Sequence, residues 1–271
     1  MIKTAIRLTN QSCRASTLVK VRHVEDKGYT IIEMDKSPVN SMSLEFMEEL
    51  TDTIANVPST STSRGIIITS ATKAFSAGLD LNELVRPDPV RLHRFWTAFQ
   101  QLHITTYTSP LVTIAAVNGG AIAGGCALSL CCDYRVIAER RGKIGLNTVH
   151  TGLIAPYWVD RMYQMTLGHR VAEKFLSLGH VLGPRESYER GLVDEVVADD
   201  AMLSRCEEVM SDWLKVPDVG RRRTKELMRS DFVGEFHRIR DQDMEMFTGI
   251  VMSESFQQHI LKYVEQMKKK K

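Results

Sequence analysis

The stretch Leu111–Cys132 constrains the fold more than any other, because no charged side chain interrupts it. Its length alone would let a helix cross a bilayer. Asn118-Gly119-Gly120 breaks it in the middle, however, and Gly124-Gly125 follows closely. Glycine pairs of this kind end regular elements rather than continue them. The stretch therefore divides into a buried strand, LVTIAAV over 111–117, and a short buried helix over 123–132. A strand with no polar face has to be covered on both sides, which calls for an α/β architecture and not a membrane span.

The rest of the chain fits that frame. Two alternating runs, 17–24 and 29–35, read as hairpin strands around Lys27-Gly28. Ser43 is the expected cap of a helix over 44–57, with Leu44, Met47, Leu50, Ile54 and Val57 at helical spacing. Strand GIIITS (65–70) follows, and Asp80 with Glu83 forms a capping pair for a helix that starts at Leu81. A longer helix spans 89–107, and strands at 134–138 and 143–147 complete the alternating part. After Ala155 only helices are expected, over 155–166, 169–178, 184–190, 200–215, 217–229 and 236–267, the last broken near Gly249. Three regions result: an N-terminal segment 1–24, an α/β core 25–198 and a helical C-terminal region 199–271.

Charge is distributed unevenly. The chain has 35 Lys+Arg, 33 Asp+Glu and a formal net charge of +2. No acidic residue precedes Glu25, while Lys3, Arg7, Arg14, Lys20 and Arg22 do, and Lys268–Lys271 end the chain. Nine of the basic residues thus sit at the ends, leaving a body of 26 basic against 33 acidic side chains. An acidic body gives no general nucleic-acid face. The basic first 24 residues, rich in Ser and Thr, have the composition of a mitochondrial targeting leader, or of a basic tail with no address. Five cysteines, an odd number without CxxC spacing, suit small core residues in a reducing compartment better than disulfides or zinc.

Three glycine-rich loops each follow a strand: Ser76-Ala77-Gly78-Leu79-Asp80, Asn118-Gly119-Gly120 and Ala123-Gly124-Gly125-Cys126. None matches a nucleotide-binding fingerprint. Two such loops after successive strands can instead place two backbone amides around one oxygen, as enolate or oxyanion stabilisation requires.

Those residues carry a resemblance. S-A-G-L-D-L at 76–81, N-G-G-A-I-A-G-G-C at 118–126 and C-D-Y-R-V at 132–136 resemble the crotonase (enoyl-CoA hydratase/isomerase) superfamily. P-V-N-S-M-S-L-E-F-M at 38–47, I-G-L-N at 144–147 and G-L-I-A-P-Y-W at 152–158 resemble its mitochondrial Δ3,Δ2-enoyl-CoA isomerase branch. The resemblance implies a spiral of ββα units with a helical C-terminal region, a homotrimer, a place in fatty-acid β-oxidation, and an acyl-CoA substrate whose coenzyme A is its only cofactor-like group. It places the two oxyanion amides at Leu79 and Gly124, and the CoA border at Val39, Ser41, Ala77 and Gly78.

It also marks a departure. The isomerase glutamate should follow I-G-L-N, where this chain has Thr148. The glutamate positions of two other branches hold Ala127 and Pro156. A threonine hydroxyl donates, accepts or orients water but is no base at neutral pH. His150 is then either a substitute base or a loop histidine bonded to backbone; a carboxylate from elsewhere, or a water held by Asn147 and Thr148, is another carrier of the proton. A silent acyl-CoA-binding protein on the same fold is the competing reading. Trp96, Trp158 and Phe95 are expected in the acyl tunnel or core, and Asp80 and Asp133 in structural roles.

Overall fold

The computed structural model describes residues 17–269. The first half runs β1 (Val19–Val24), β2 (Tyr29–Met34), α1 (Leu44–Thr60), β3 (Gly65–Ser70), α2 (Pro89–Tyr107) and β4 (Val112–Val117). Then come β5 (Gly120–Ile122), α3 (Gly124–Leu130), β6 (Tyr134–Ala138), β7 (Lys143–Gly145), α4 (Tyr157–Leu167) and α5 (His169–Leu178). The rest is β8 (Val181–Leu182), α6 (Pro184–Glu189), β9 (Glu195–Val197), α7 (Met202–Leu214), α8 (Asp218–Met252) and α9 (Glu254–Lys269). The large sheet has the order β1-β2-β3-β4-β6-β9, and a small one the order β5-β7-β8. Only β1 is antiparallel in the large sheet.

The uncharged strands are explained by what covers them. Ile31, Ile67 and Ile114 form one row across β2, β3 and β4, and Ile32, Ile68 and Ala115 form the next. Side chains alternate across a strand, so the first row packs against Met202, Cys206 and Met210 of α7. The second packs into the main core with α1 and α2. Each isoleucine removed from water in this way contributes about 1.5–3 kcal/mol. Helix α7, in the region 199–271, packs on β3, β4 and β6 and so lies directly against the sheet. Similarly, residues 1–16 of the N-terminal segment lie outside the described residues, but Val19–Val24 form the edge strand, so the folded core begins by residue 19 rather than 25.

Several local expectations change for identifiable reasons. Ser43 makes no side-chain cap; Glu83 reaches over to accept from Leu44 N at 3.2 Å, so it caps α1. Deprived of that partner, the segment at Leu81 makes only a 3-10 turn, Leu81–Glu83, with Asp80 accepting from Asn82 N. The helices expected over 217–229 and 236–267 are one helix to Met252, and the break falls at Ser253 instead of Gly249. Ser253 Oγ accepts from Phe256 N at 3.3 Å, as an N-cap should, and so starts α9. No described helix is long and apolar enough to cross a membrane.

The C-terminal helices are anchored by a buried charge cluster. Asp133, at the turn into β6, accepts from Lys225 Nζ (2.8 Å) and Arg229 Nη2 (2.8 Å) of α8 and from Thr113 N (2.9 Å) of β4. Arg229 also lies 4.1 Å over the Tyr107 ring. Removing one partner of such a cluster strands buried charge, which costs about 3–5 kcal/mol. Asp133→Ala is therefore expected to lower the unfolding free energy by that amount in urea titration. A midpoint matching that of the unaltered protein would show that the cluster does not hold α8 to the sheet.

Candidate active site

The two glycine loops meet back to back. Ser76 N donates to Gly120 O (3.0 Å) and Ile122 N to Ser76 O (2.9 Å), which ties the loop after β3 to β5. A β-carbon at Gly125 would stand 2.5 Å from Ser76 O, and one at Gly119 2.1 Å from Lys73 O. Only glycine permits that approach. The loop 36–43 is fastened from the other side by buried Asn40, in the left-handed region at φ 50°. Its Nδ2 donates to Ser70 Oγ (2.7 Å) and Phe75 O (3.0 Å), and its Oδ1 accepts from Lys36 N (2.8 Å).

This packing decides which amides stay free. Met42 pairs with Leu79 in a parallel bridge: Met42 N donates to Gly78 O (2.8 Å) and Asp80 N to Met42 O (3.0 Å). Such a bridge uses the groups flanking Leu79 and turns the Leu79 N–H away. Gly124 is the first residue of α3, where an N–H has no partner inside the helix. Before it, Ala123 sits at φ 51° and ψ −115°, a strained turn conformation, with its own N–H on Gly145 O at 2.9 Å. Neither Leu79 N nor Gly124 N donates to any group among the described residues. Gly78, at φ 83°, lets the two approach: a β-carbon there would stand 2.9 Å from Gly124 N.

Leu79 and Gly124 line one cleft of about 580 Å³. Val39, Ser41, Ala77 and Thr148 line it too, so the structure brings together six of the eight residues expected at the site. Gly78 lies behind the wall as a spacer. His150 does not line the cleft. Its Nε2 lies 3.1 Å from Leu178 O, and its ring packs where Gly179 leaves room for it. The backbone-bonded reading of His150 therefore holds, and the substitute-base reading has no geometric support. Thr148 opens the turn Thr148–Thr151, whose Thr151 hydroxyl donates back to Thr148 O at 2.7 Å.

Sequence reasoning missed Lys36; the family resemblance implies that the C-terminal helical region covers the acyl site, but it does not single out Tyr263, Val264 and Met267 of α9, which line the cleft. The lysine has no motif signal; the α9 residues show only an amphipathic pattern, which says nothing about where the helix docks. Asp80 is the only carboxylate among the described lining residues. Its Oδ2 receives Lys36 Nζ (3.0 Å) and Ser41 Oγ (2.9 Å), and its Oδ1 receives Asn82 N (3.1 Å). Burial alone would raise its pKa, but the Lys36 hydrogen bond and charge, with Ser41, outweigh burial and hold it below the usual 3.8. A carboxylate so occupied is a weak base. Behind Gly124, burial pushes His103 down to about 4, so this imidazole is neutral at physiological pH.

A family model described as enoyl-CoA hydratase/isomerase matches residues 25–270. The chain belongs to the enoyl-CoA hydratase/isomerase family. It is 39% identical over 246 residues to mitochondrial enoyl-CoA delta isomerase 1 of Mus musculus, covering 90% of this chain and 85% of that protein. Its likeness to the corresponding protein of Homo sapiens is 37% over 246 residues, with 90% and 82% covered. The crystal structure of human mitochondrial delta3-delta2-enoyl-CoA isomerase superposes with a TM-score of 0.91 at 36% identity, over 94% of this chain and all of that one. The α/β core with a helical C-terminal region thus agrees with the fold that the family resemblance implied.

The Asp80–Lys36 pair makes an acid-dependent contribution to stability. A carboxyl whose folded pKa is depressed stabilises the fold above its unfolded pKa and loses that contribution as pH falls through the folded one. The stability difference between the unaltered protein and Asp80→Asn should therefore be full at pH 6 and shrink below pH 3.8. Thermal unfolding across that range checks it; a constant difference would dissociate the pair from acid sensitivity.

Proposed function

We propose that this chain is a Δ3,Δ2-enoyl-CoA isomerase of fatty-acid β-oxidation, converting 3-enoyl-CoA to trans-2-enoyl-CoA through an enolate. The observation that carries the reading is the pair of free amides, Leu79 N–H and Gly124 N–H, on one largely apolar cleft. A thioester oxygen accepting both would gain stabilisation as it becomes an enolate oxygen, because donors placed where charge develops favour the transition state. Removing one such donor costs about 10²–10³ in rate. Val39, Ser41 and Ala77 on the cleft wall suit the CoA moiety, while Lys36 is occupied by Ser41 and Asp80.

The proton at C2 has to reach C4 without a carboxylate at position 148. Asn147 and Thr148 are neighbouring neutral polar side chains on the cleft wall, and they can orient a water between the two carbons. Such a carrier is slower than a tuned base, which typically supplies about 10²–10⁴. The mitochondrial matrix and a homotrimeric assembly belong to the same proposal; the relatives named mitochondrial support the first. One observation favours a second reading, a silent acyl-CoA-binding protein: the only carboxylate lining the described cleft is tied to Lys36.

A coupled absorbance assay with 3-enoyl-CoA separates them. The unaltered protein should turn over slowly, and Thr148→Glu should raise kcat by about 10²–10⁴. A completely inactive natural protein beside an active Thr148→Glu variant would establish the silent reading. His150→Ala should leave kcat unchanged, because its ring is held outside the cleft. Gly78→Ala should lose about 10²–10³ in kcat, its methyl group standing on the Gly124 amide.

A further inference from the structure

The inner wall of the cleft is built in a definite order from the reacting end outward. A β-carbon at Gly124 would stand 3.0 Å from Phe99 Cε2, so the Phe99 ring lies directly against the amide that takes the thioester. Trp96 stacks beyond Phe99, with centroids 4.8 Å apart and planes 22° apart. Phe247 of α8 stacks on the far side of Trp96, at 3.6 Å and 8°. All three rings line the cleft and all are buried. A chain leaving the thioester carbon therefore passes Phe99 and meets the Trp96–Phe247 stack.

What stands behind the stack is polar. Asp243 of α8 is 2% exposed and lies outside the cleft lining. Its Oδ2 accepts from Trp96 Nε1 (2.8 Å) and Gln100 Nε2 (2.7 Å), while its Oδ1 has no partner. No Lys or Arg forms an ion pair with it among the described residues. Burial pushes this carboxyl above its ordinary value. A buried carboxyl without a counter-ion is costly to a fold, and a Trp–Phe stack needs none for its packing. Its effect here is geometric. Two N–H groups converge on one oxygen and fix the indole in the plane that lies flat on Phe247.

We infer that Trp96, held in its plane by the positioning residue Asp243, is the stop that sets the acyl-chain length this cleft accepts. The inference rests on the acyl-CoA reading of the site and names its specificity determinant. A chain longer than the space before Trp96 would have to rotate the indole. That would break its bond to Asp243 and bring methylenes against a carboxyl group instead of an apolar wall.

The test uses the full chain and saturated acyl-CoAs from butanoyl to hexadecanoyl, with Kd measured by calorimetry so that no turnover is needed. Each buried methylene should lower Kd by about 4-fold. In the unaltered protein this fall should cease at one chain length, and in Trp96→Ala it should continue to longer chains. Asp243→Leu should blur the break, and Asp243→Asn, which keeps an acceptor for Trp96 Nε1, should restore it; a role in folding alone would not discriminate between them in this way. Trp96→Phe carries the same test should the alanine variant not fold, with a smaller displacement of the break. A break at the same chain length in the unaltered protein and in the Trp96 variants would overturn the inference while leaving the acyl-CoA reading intact. If no acyl-CoA of any length bound to the unaltered protein, the acyl-CoA reading itself would fall.

Discussion

Everything at the candidate site depends on backbone reaching backbone across the two glycine loops. The loop after β3 and the turn into α3 approach so closely that β-carbons at Gly119 and Gly125 would overlap Lys73 O and Ser76 O. Around that contact, Leu79 N and Gly124 N donate to no group among the described residues. The parallel bridge at Leu79 and the start of α3 at Gly124 leave one N–H each pointing into the same space. A donor made in this way needs no side chain, and it costs little to reorganise because the sheet has already fixed it. The strain of Ala123 at a positive φ is localised at this turn and offset by the surrounding hydrogen bonds.

The rest of the molecule serves to hold and close that space. Asn40 draws the loop 36–43 against the ends of β2 and β3, which brings Val39, Ser41 and Lys36 to the rim. The cluster of Asp133, Lys225 and Arg229 fixes α8 to the sheet, and α8 carries Phe247 into the cleft wall. Gln257 extends the chain of contacts to α9: its Nε2 donates to Leu84 O (2.8 Å) and its Oε1 accepts from Arg86 N (2.8 Å). The cleft is therefore assembled from segments more than 200 residues apart, and Phe247, Tyr263, Val264 and Met267 complete its wall only when the C-terminal helices are docked.

How much of this the sequence reveals depends on the range of the interaction. The uncharged strands and glycine loops are local signals, so the sheet and its covered faces can be read directly, whereas the two amides are placed only by the family resemblance that those loops carry. Glu83 shows where such reading stops. As a residue three positions after Asp80 it suggests a capping box, but its oxygen is captured by Leu44 N, 39 residues away. Gly249 suggests a break on propensity, yet α8 passes through it because packing of Met244, Phe247 and Val251 outweighs about 1 kcal/mol of glycine cost. His150 illustrates the same limit for chemistry. Its residue type suits a base, but whether the ring faces the cleft depends on a carbonyl in α5, 28 positions on.

The charge pattern gains a meaning from the cleft. With 26 basic and 33 acidic side chains between the two basic ends, the body attracts no anion at long range. The reacting end of the cleft goes further and is neutral: two amides, Asn147, Thr148 and aromatic rings, with Asp80 neutralised by Lys36 and His103 kept uncharged by burial. In so neutral a space, charge appearing on an enolate oxygen is felt chiefly by the two amides. A carboxylate at position 148 would accept the C2 proton, and its own charge would pass to the enolate oxygen as it did so. Threonine removes both effects together. On the proposed reading, stabilising the enolate and moving its proton are separable tasks, and the backbone alone would supply the first.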